Sequence, residues 1–324
     1  MTLMNVLFQP STLLNLFVII VSFIVIYKSA GHIILAMEKY GRSLGLSDSF
    51  LGMFVVGTAV AIPIILTSIN GIILKDAEMM LGSVLGANLL TIGLILGISG
   101  FKYNSVSMSS KFFSKSLLPT WGLIILPLLL LLDGKLNQLD GVVLLFLFFM
   151  YLRHTWKIEK SIGHLKKKVL FKNVWKSELT FLFAFAALLL STRWLVFSAS
   201  VLSKTFQISS FLTAITVVAL GTTFPHFVIR FKAKEEGHSD LAMGTQIGRL
   251  LITFVFFLGL VGIFSPISIQ PSKLLFASLF MLISTTIFFF ALKKKEMGKI
   301  IGFTLLVIYF AFIILEILKN AGMI

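Results

Sequence analysis

Two prolines stand inside long apolar runs, Pro63 and Pro225. A proline within a helix has no N–H to offer the carbonyl four residues earlier, which frees the carbonyls of Ala59 and Gly221 for other partners. Polar or freed groups collect near both prolines: Ile64 and Thr67 follow the first, and Gly221, Thr222, Thr223 and His226 surround the second. Two further apolar runs carry Ser83, Asn88 and Thr91, and Gln246 and Arg249. Hydroxyl, amide and carbonyl oxygens at this density could cradle a small ion. His226 lies one turn after Thr222 on the same helix face. A histidine in a membrane can accept and release a proton near neutral pH, or sit neutral and bonded to a neighbouring helix. Arg249 also reads two ways, as a side-chain cation filling an ion site or as the ligand of an anion. Side chains of this kind are costly in lipid and are expected to face the protein interior.

The elements that carry these residues are membrane helices. The chain of 324 residues is 57% hydrophobic and 13% charged, with a mean hydropathy of +1.01. A soluble domain carries roughly twice that charge. Apolar runs long enough to cross a bilayer core of about 30 Å recur along the whole sequence. They predict ten spans, near 13–37, 50–74, 79–101, 116–133, 138–153, 178–202, 209–232, 240–264, 272–292 and 299–319. The fourth and fifth are short and read as tilted or re-entrant pieces. With the N-terminus outside, alternate loops place twenty Lys and Arg residues inside and five outside, in keeping with the positive-inside rule. The first apolar run lacks the basic flank and cleavage site of a signal peptide and is expected to be a retained span.

The chain repeats itself. A shift of 162 residues without gaps lays Ser47 on Ser209, Pro63 on Pro225, Gly82 on Gly244, Gly86 on Gly248, Thr91 on Thr253 and Gly97 on Gly259. Apolar matches come cheaply in membrane proteins, but matched Pro and Gly mark special backbone. Five spans per half is an odd number, so the second half enters from the opposite side. That is an inverted-topology repeat, in which broken helices at matching places point to the substrate site. Helices 2 and 7 are therefore expected to break near their prolines. The predicted fold is all-α and integral to the membrane: residues 1–153 form the first five-helix repeat, 154–177 a basic cytoplasmic linker, and 178–324 the second repeat.

The stretch Val218-Ala219-Leu220-Gly221-Thr222-Thr223-Phe224-Pro225, followed by Asp240-Leu241-Ala242-Met243-Gly244 and Gly248, resembles the second α-repeat of the sodium/calcium exchanger (cation/calcium antiporter) superfamily. In the first repeat Ala59-Val60-Ala61-Ile62-Pro63 keeps only the proline, while Gly82, Gly86 and Asn88 return in register. The resemblance runs over about 29–100 and 191–262 and implies ten helices in two inverted halves that exchange ions by alternating access. It also implies a cation-binding glutamate after each proline. Those positions hold Ile64 and His226 here. Of the thirteen acidic residues, only Glu316 lies within a predicted span; the rest, Glu159 among them, fall in loops or at span ends. Calcium asks for six to eight oxygen ligands, usually with carboxylates, so calcium exchange by the usual mechanism is not expected, and sodium or a proton is the preferred cargo.

Other classes are set aside. The net charge of +15 belongs to loops that orient helices, not to a nucleic-acid surface. Cysteine is absent, which excludes disulfides and thiolate chemistry. The five histidines include no pair four residues apart, and no nucleophile motif occurs, so neither an enzyme nor a bound cofactor is expected. The lipid bilayer and a small inorganic ion are the expected partners, in a prokaryotic inner membrane. The rival expectation is a non-transporting scaffold or regulatory relative. Lys28 and Arg193, inside spans 1 and 6, are long enough to reach an interface.

Overall fold

The computed structural model describes residues 10–103, 111–162, 175–235, 237–294 and 298–323. Among them ten helices are long and apolar enough to cross a membrane. They are α1 (Pro10–Ser43), α2 (48–73), α3 (77–103), α4 (Lys111–Leu130), α5 (Gln138–Ile162), α6 (Trp175–Thr205), α7 (210–235), α8 (239–264), α9 (Pro271–Lys294) and α10 (Lys299–Asn320). Burial divides them. In α3 and α8, 89% and 78% of the span is buried, and in α2 and α7 67%, against 28% in α1, α5 and α10. The four helices that carry the candidate residues are thus the centre of the molecule. The others shield them, α1 packed along α6, with faces left apolar for lipid.

The two halves are built alike in detail. Ser47 caps α2 by accepting the Phe50 N–H (3.3 Å), and Ser209, its repeat mate, caps α7 by accepting the Leu212 N–H (3.1 Å). Wider π-helical turns occur at Leu51–Val56 and Ala214–Val218, and again at Leu90–Ile95 and Leu251–Phe257. Neither α2 nor α7 breaks at its proline, contrary to expectation; helical backbone continues through Pro63 and Pro225. In each helix a π turn lies several residues before the proline, and such turns are common at functional sites.

Glycines set how closely the halves meet. A Cβ at Gly248 would stand 1.7 Å from the Met53 carbonyl oxygen, and one at Gly86 would stand 2.4 Å from Ile215 Cα. Met53 and Ile215 are themselves repeat mates, so α8 on α2 and α3 on α7 are the same contact made twice. At one end of the bundle the connections differ: a two-residue ladder pairs Lys135 with Ser268 and Leu136 with Ile267, β1 (Lys135–Leu136) against β2 (Ile267–Ser268). At the other end Asp48 is bound by Arg42 (3.1 Å) and by His238 Nδ1 (2.9 Å), which ties the α1–α2 turn to the start of α8.

The fifth helix is longer than its apolar run. It continues to Ile162, nine residues past the predicted end, and α6 begins at Trp175, so much of the predicted linker 154–177 is helical and 163–174 lie outside the described residues. The reason is a polar docking face. Tyr151, Thr155 and Glu159, four residues apart, are buried on one side. The Glu159 carboxylate accepts both the Ser47 N–H (2.7 Å) and the Ser47 Oγ–H (2.6 Å) at the start of α2. Glu159 is therefore a buried helical residue, not a loop residue. Hydropathy stops where lipid stops, but this helix goes on over protein.

Candidate functional site

Arg249 stands at the centre. Its neighbour Gly248 sits against the backbone of Met53, so α8 lies deep between the halves and the root of Arg249 is carried with it. The guanidinium is fully buried. Its Nη1 lies 3.1 Å from His226 Nδ1 on α7, and its Nη2 donates to Thr223 Oγ1 (3.3 Å) and to the Ala87 carbonyl on α3. Ala87 precedes Arg249 by 162 residues. The side chain therefore leaves its own place in the second repeat and ends on the equivalent place in the first, across the pseudo-twofold axis.

The bonding fixes the histidine. A guanidinium has donors and no acceptor, so His226 Nδ1 must accept and the ring proton of a neutral His226 sits on Nε2. That Nε2 is buried and meets no partner among the described residues; neither do Arg249 Nε, Asn88 Oδ1, or either amide atom of Gln246. Gln246 lies one turn before Arg249 on α8, on the same face. Asn88 donates to Val84 O (2.9 Å) and to Thr253 Oγ1 (2.8 Å), and Thr253 donates to Arg249 O (2.8 Å). The cluster is thus one network across α3, α7 and α8.

Other predicted residues are buried without entering it. Thr67, Ser83, Thr91 and Thr222 donate to carbonyls of their own helices, at 2.8, 2.7, 2.6 and 2.9 Å. Ile64 lies in the apolar core with Leu250 and Ala87. Ala59 packs with Ile26 and Leu195 of the outer pair, and Gly221 faces the Phe23 ring of α1. Pro63 and Pro225 are buried within their helices and have no N–H to donate. Lys28 and Arg193 are exposed on α1 and α6, far from a buried role.

Two participants escaped sequence reasoning. The Ala87 carbonyl has no side-chain signature. Arg230, counted among loop charges, is buried on α7 one turn beyond His226 and donates to Ser99 Oγ (3.3 Å), Ala242 O (3.2 Å) and Met243 Sδ (3.3 Å). Its spacing of four from His226 was the available signal. No carboxylate pairs with Arg249 among the described residues, and no three His, Asp or Glu side chains among them converge to hold a metal.

Ten spans in two like halves around a polar, buried centre define a multi-pass transporter fold. The chain belongs to the sodium/calcium exchanger family: the pattern described as "Sodium/calcium exchanger protein" matches residues 14–157 and again 176–318, one match per half. "Inner membrane protein YrbG" of Escherichia coli (strain K12) is 26% identical over 272 residues, covering 78% of this chain and 81% of that one. "Sodium/calcium exchanger MaX1" of Methanosarcina acetivorans is 21% identical, covering 93% and 97%. The solved sodium-calcium exchanger NCX_Mj superposes with a TM-score of 0.70 at 22% identity over 92% of this chain and 97% of its own, which establishes the shared fold. Family and fold together support ion antiport and a multi-pass membrane protein.

Proposed function

We propose that this protein is an ion antiporter of the exchanger fold whose central cation is its own Arg249, so that calcium is not carried through the centre. The observation that supports it is the buried guanidinium held by His226, Thr223 and the Ala87 carbonyl without a carboxylate partner among the described residues. Two unit charges 4 Å apart repel by about 4 kcal/mol at an effective dielectric of 20, and a divalent ion by roughly twice that. The oxygens that remain, from Asn88, Gln246 and the threonines, carry no formal charge with which to offset it. Sodium would meet half the repulsion. A proton on His226 Nδ1 would have to displace the Arg249 bond and add a second positive charge, which weighs against His226 as the proton carrier. The family model of alternating access by the two halves remains the working mechanism, with the N-terminus outside and a bacterial inner membrane as the setting; the excess of Lys and Arg in alternate loops supports that orientation.

The test is reconstitution in liposomes with an outward sodium gradient. The expected result is no sodium-driven calcium uptake by the unmodified protein. Calcium uptake above protein-free liposomes overturns the proposal. Because cysteine is absent, single cysteines at positions 75 and 39 report the orientation by labelling from one side only. Silence under sodium, proton and anion gradients, with folding verified, favours the non-transporting scaffold instead.

A further inference from the structure

We propose that the Arg249 centre is a binding site for a small monovalent inorganic anion of chloride or nitrate size. The proposal rests on the same tethered guanidinium as the proposed function and adds its ligand. Buried charges are found paired, because an isolated ion inside a protein costs several kcal/mol. Arg249 is fully buried, and the three groups it touches, a neutral imidazole, a hydroxyl and a carbonyl, carry no negative charge.

The unspent hydrogen-bonding groups beside it are mainly donors. Among the described residues Arg249 Nε–H is unused and the Gln246 amide has an unspent NH2 one turn away on the same helix face, while His226 Nε2–H, also unused, points away from the guanidinium that Nδ1 faces. All three side chains are at least nine-tenths buried. Among the described residues a cation could use only Gln246 Oε1 and Asn88 Oδ1 of the unpartnered atoms near Arg249, whereas an anion can use Arg249 Nε–H and the Gln246 NH2 together with a full positive charge. Arg230, one turn further along α7, raises the local potential in the same sense. One guanidinium balances one negative charge, which selects a monovalent ion.

The test uses the purified full chain in detergent, first in sodium gluconate and then with chloride, nitrate or sulfate added at matched ionic strength, followed by thermal unfolding. The expected result is a saturable rise of several degrees with chloride or nitrate, none with sulfate, and none with Arg249→Met. Since Arg249→Met removes three hydrogen bonds and can misfold, Gln246→Met is the second variant: it is expected to need at least tenfold more chloride for half the rise. Line broadening of the chloride NMR signal by the unmodified protein, lost in Gln246→Met, gives a second readout that does not depend on stability. Equal unfolding temperatures in gluconate and chloride, or equal shifts in both variants and the unmodified protein, overturn the site. Failure here with no calcium uptake in liposomes sinks only the anion; sodium-driven calcium uptake sinks the parent reading whatever the anion result.

Discussion

A carboxylate at position 226 should be tolerated only while Arg249 is present. In His226→Glu the new carboxylate takes the place of Nδ1, which now stands 3.1 Å from Arg249 Nη1. Opposite charges at about 4 Å attract by about 4 kcal/mol at an effective dielectric of 20, which roughly offsets the several kcal/mol needed to bury the carboxylate. Stability should therefore stay close to that of the unmodified protein. In His226→Glu with Arg249→Met the same carboxylate is buried alone, and breaking such a pair costs about 3–5 kcal/mol. The four proteins of this cycle, compared by unfolding in detergent, should yield a coupling of about that size. The calcium response separates three of the four. The unmodified protein and His226→Glu should ignore millimolar calcium, because Arg249 repels it or neutralises the glutamate. The double variant, freed of the guanidinium, should be stabilised by it. A coupling near zero, or calcium stabilisation of the unmodified protein, would refute the claim that Arg249 governs the charge of this centre.

Gly248→Ala should abolish recovery of folded protein, since its Cβ would lie 1.7 Å from the Met53 carbonyl oxygen, whereas Gly122→Ala, with nothing within 4 Å, should fold at normal yield; size-exclusion profiles of the two decide it. Glu159→Ala should destabilise by about 1–3 kcal/mol, because the half-buried Ser47 N–H and hydroxyl lose their acceptor; an unchanged unfolding temperature would show that α5 is not anchored there. Asn88→Leu should cost a similar 1–3 kcal/mol through the loss of its bonds to Val84 O and Thr253 Oγ1, and Asn88→Leu with Thr253→Val should cost less than the two single changes added together.

The covalent chain by itself determined the membrane, the ten spans and the twofold repeat. Hydropathy reports burial against lipid whatever the partner helix, and matched Gly82/Gly244, Gly86/Gly248 and Pro63/Pro225 report backbone that two halves must share. The absence of glutamate after either proline was also legible, because an acidic residue is visible as a letter. What tertiary structure alone decided is where the polar side chains spend their hydrogen bonds. Helical spacing put His226, Gln246 and Arg249 inside, but only the crossing of α8 over α2 carries the guanidinium to the Ala87 carbonyl in the other repeat, a partner with no side-chain signal. The length of α5 was hidden for a related reason: Glu159 reads as a loop charge in hydropathy and becomes a buried anchor only once Ser47 meets it. The prolines were over-read as breaks: each removes one backbone bond, and the helix continues through it. Periodicity is a property of one helix; the charge of this site is a property of three helices packed together, and no single stretch of the chain contains it.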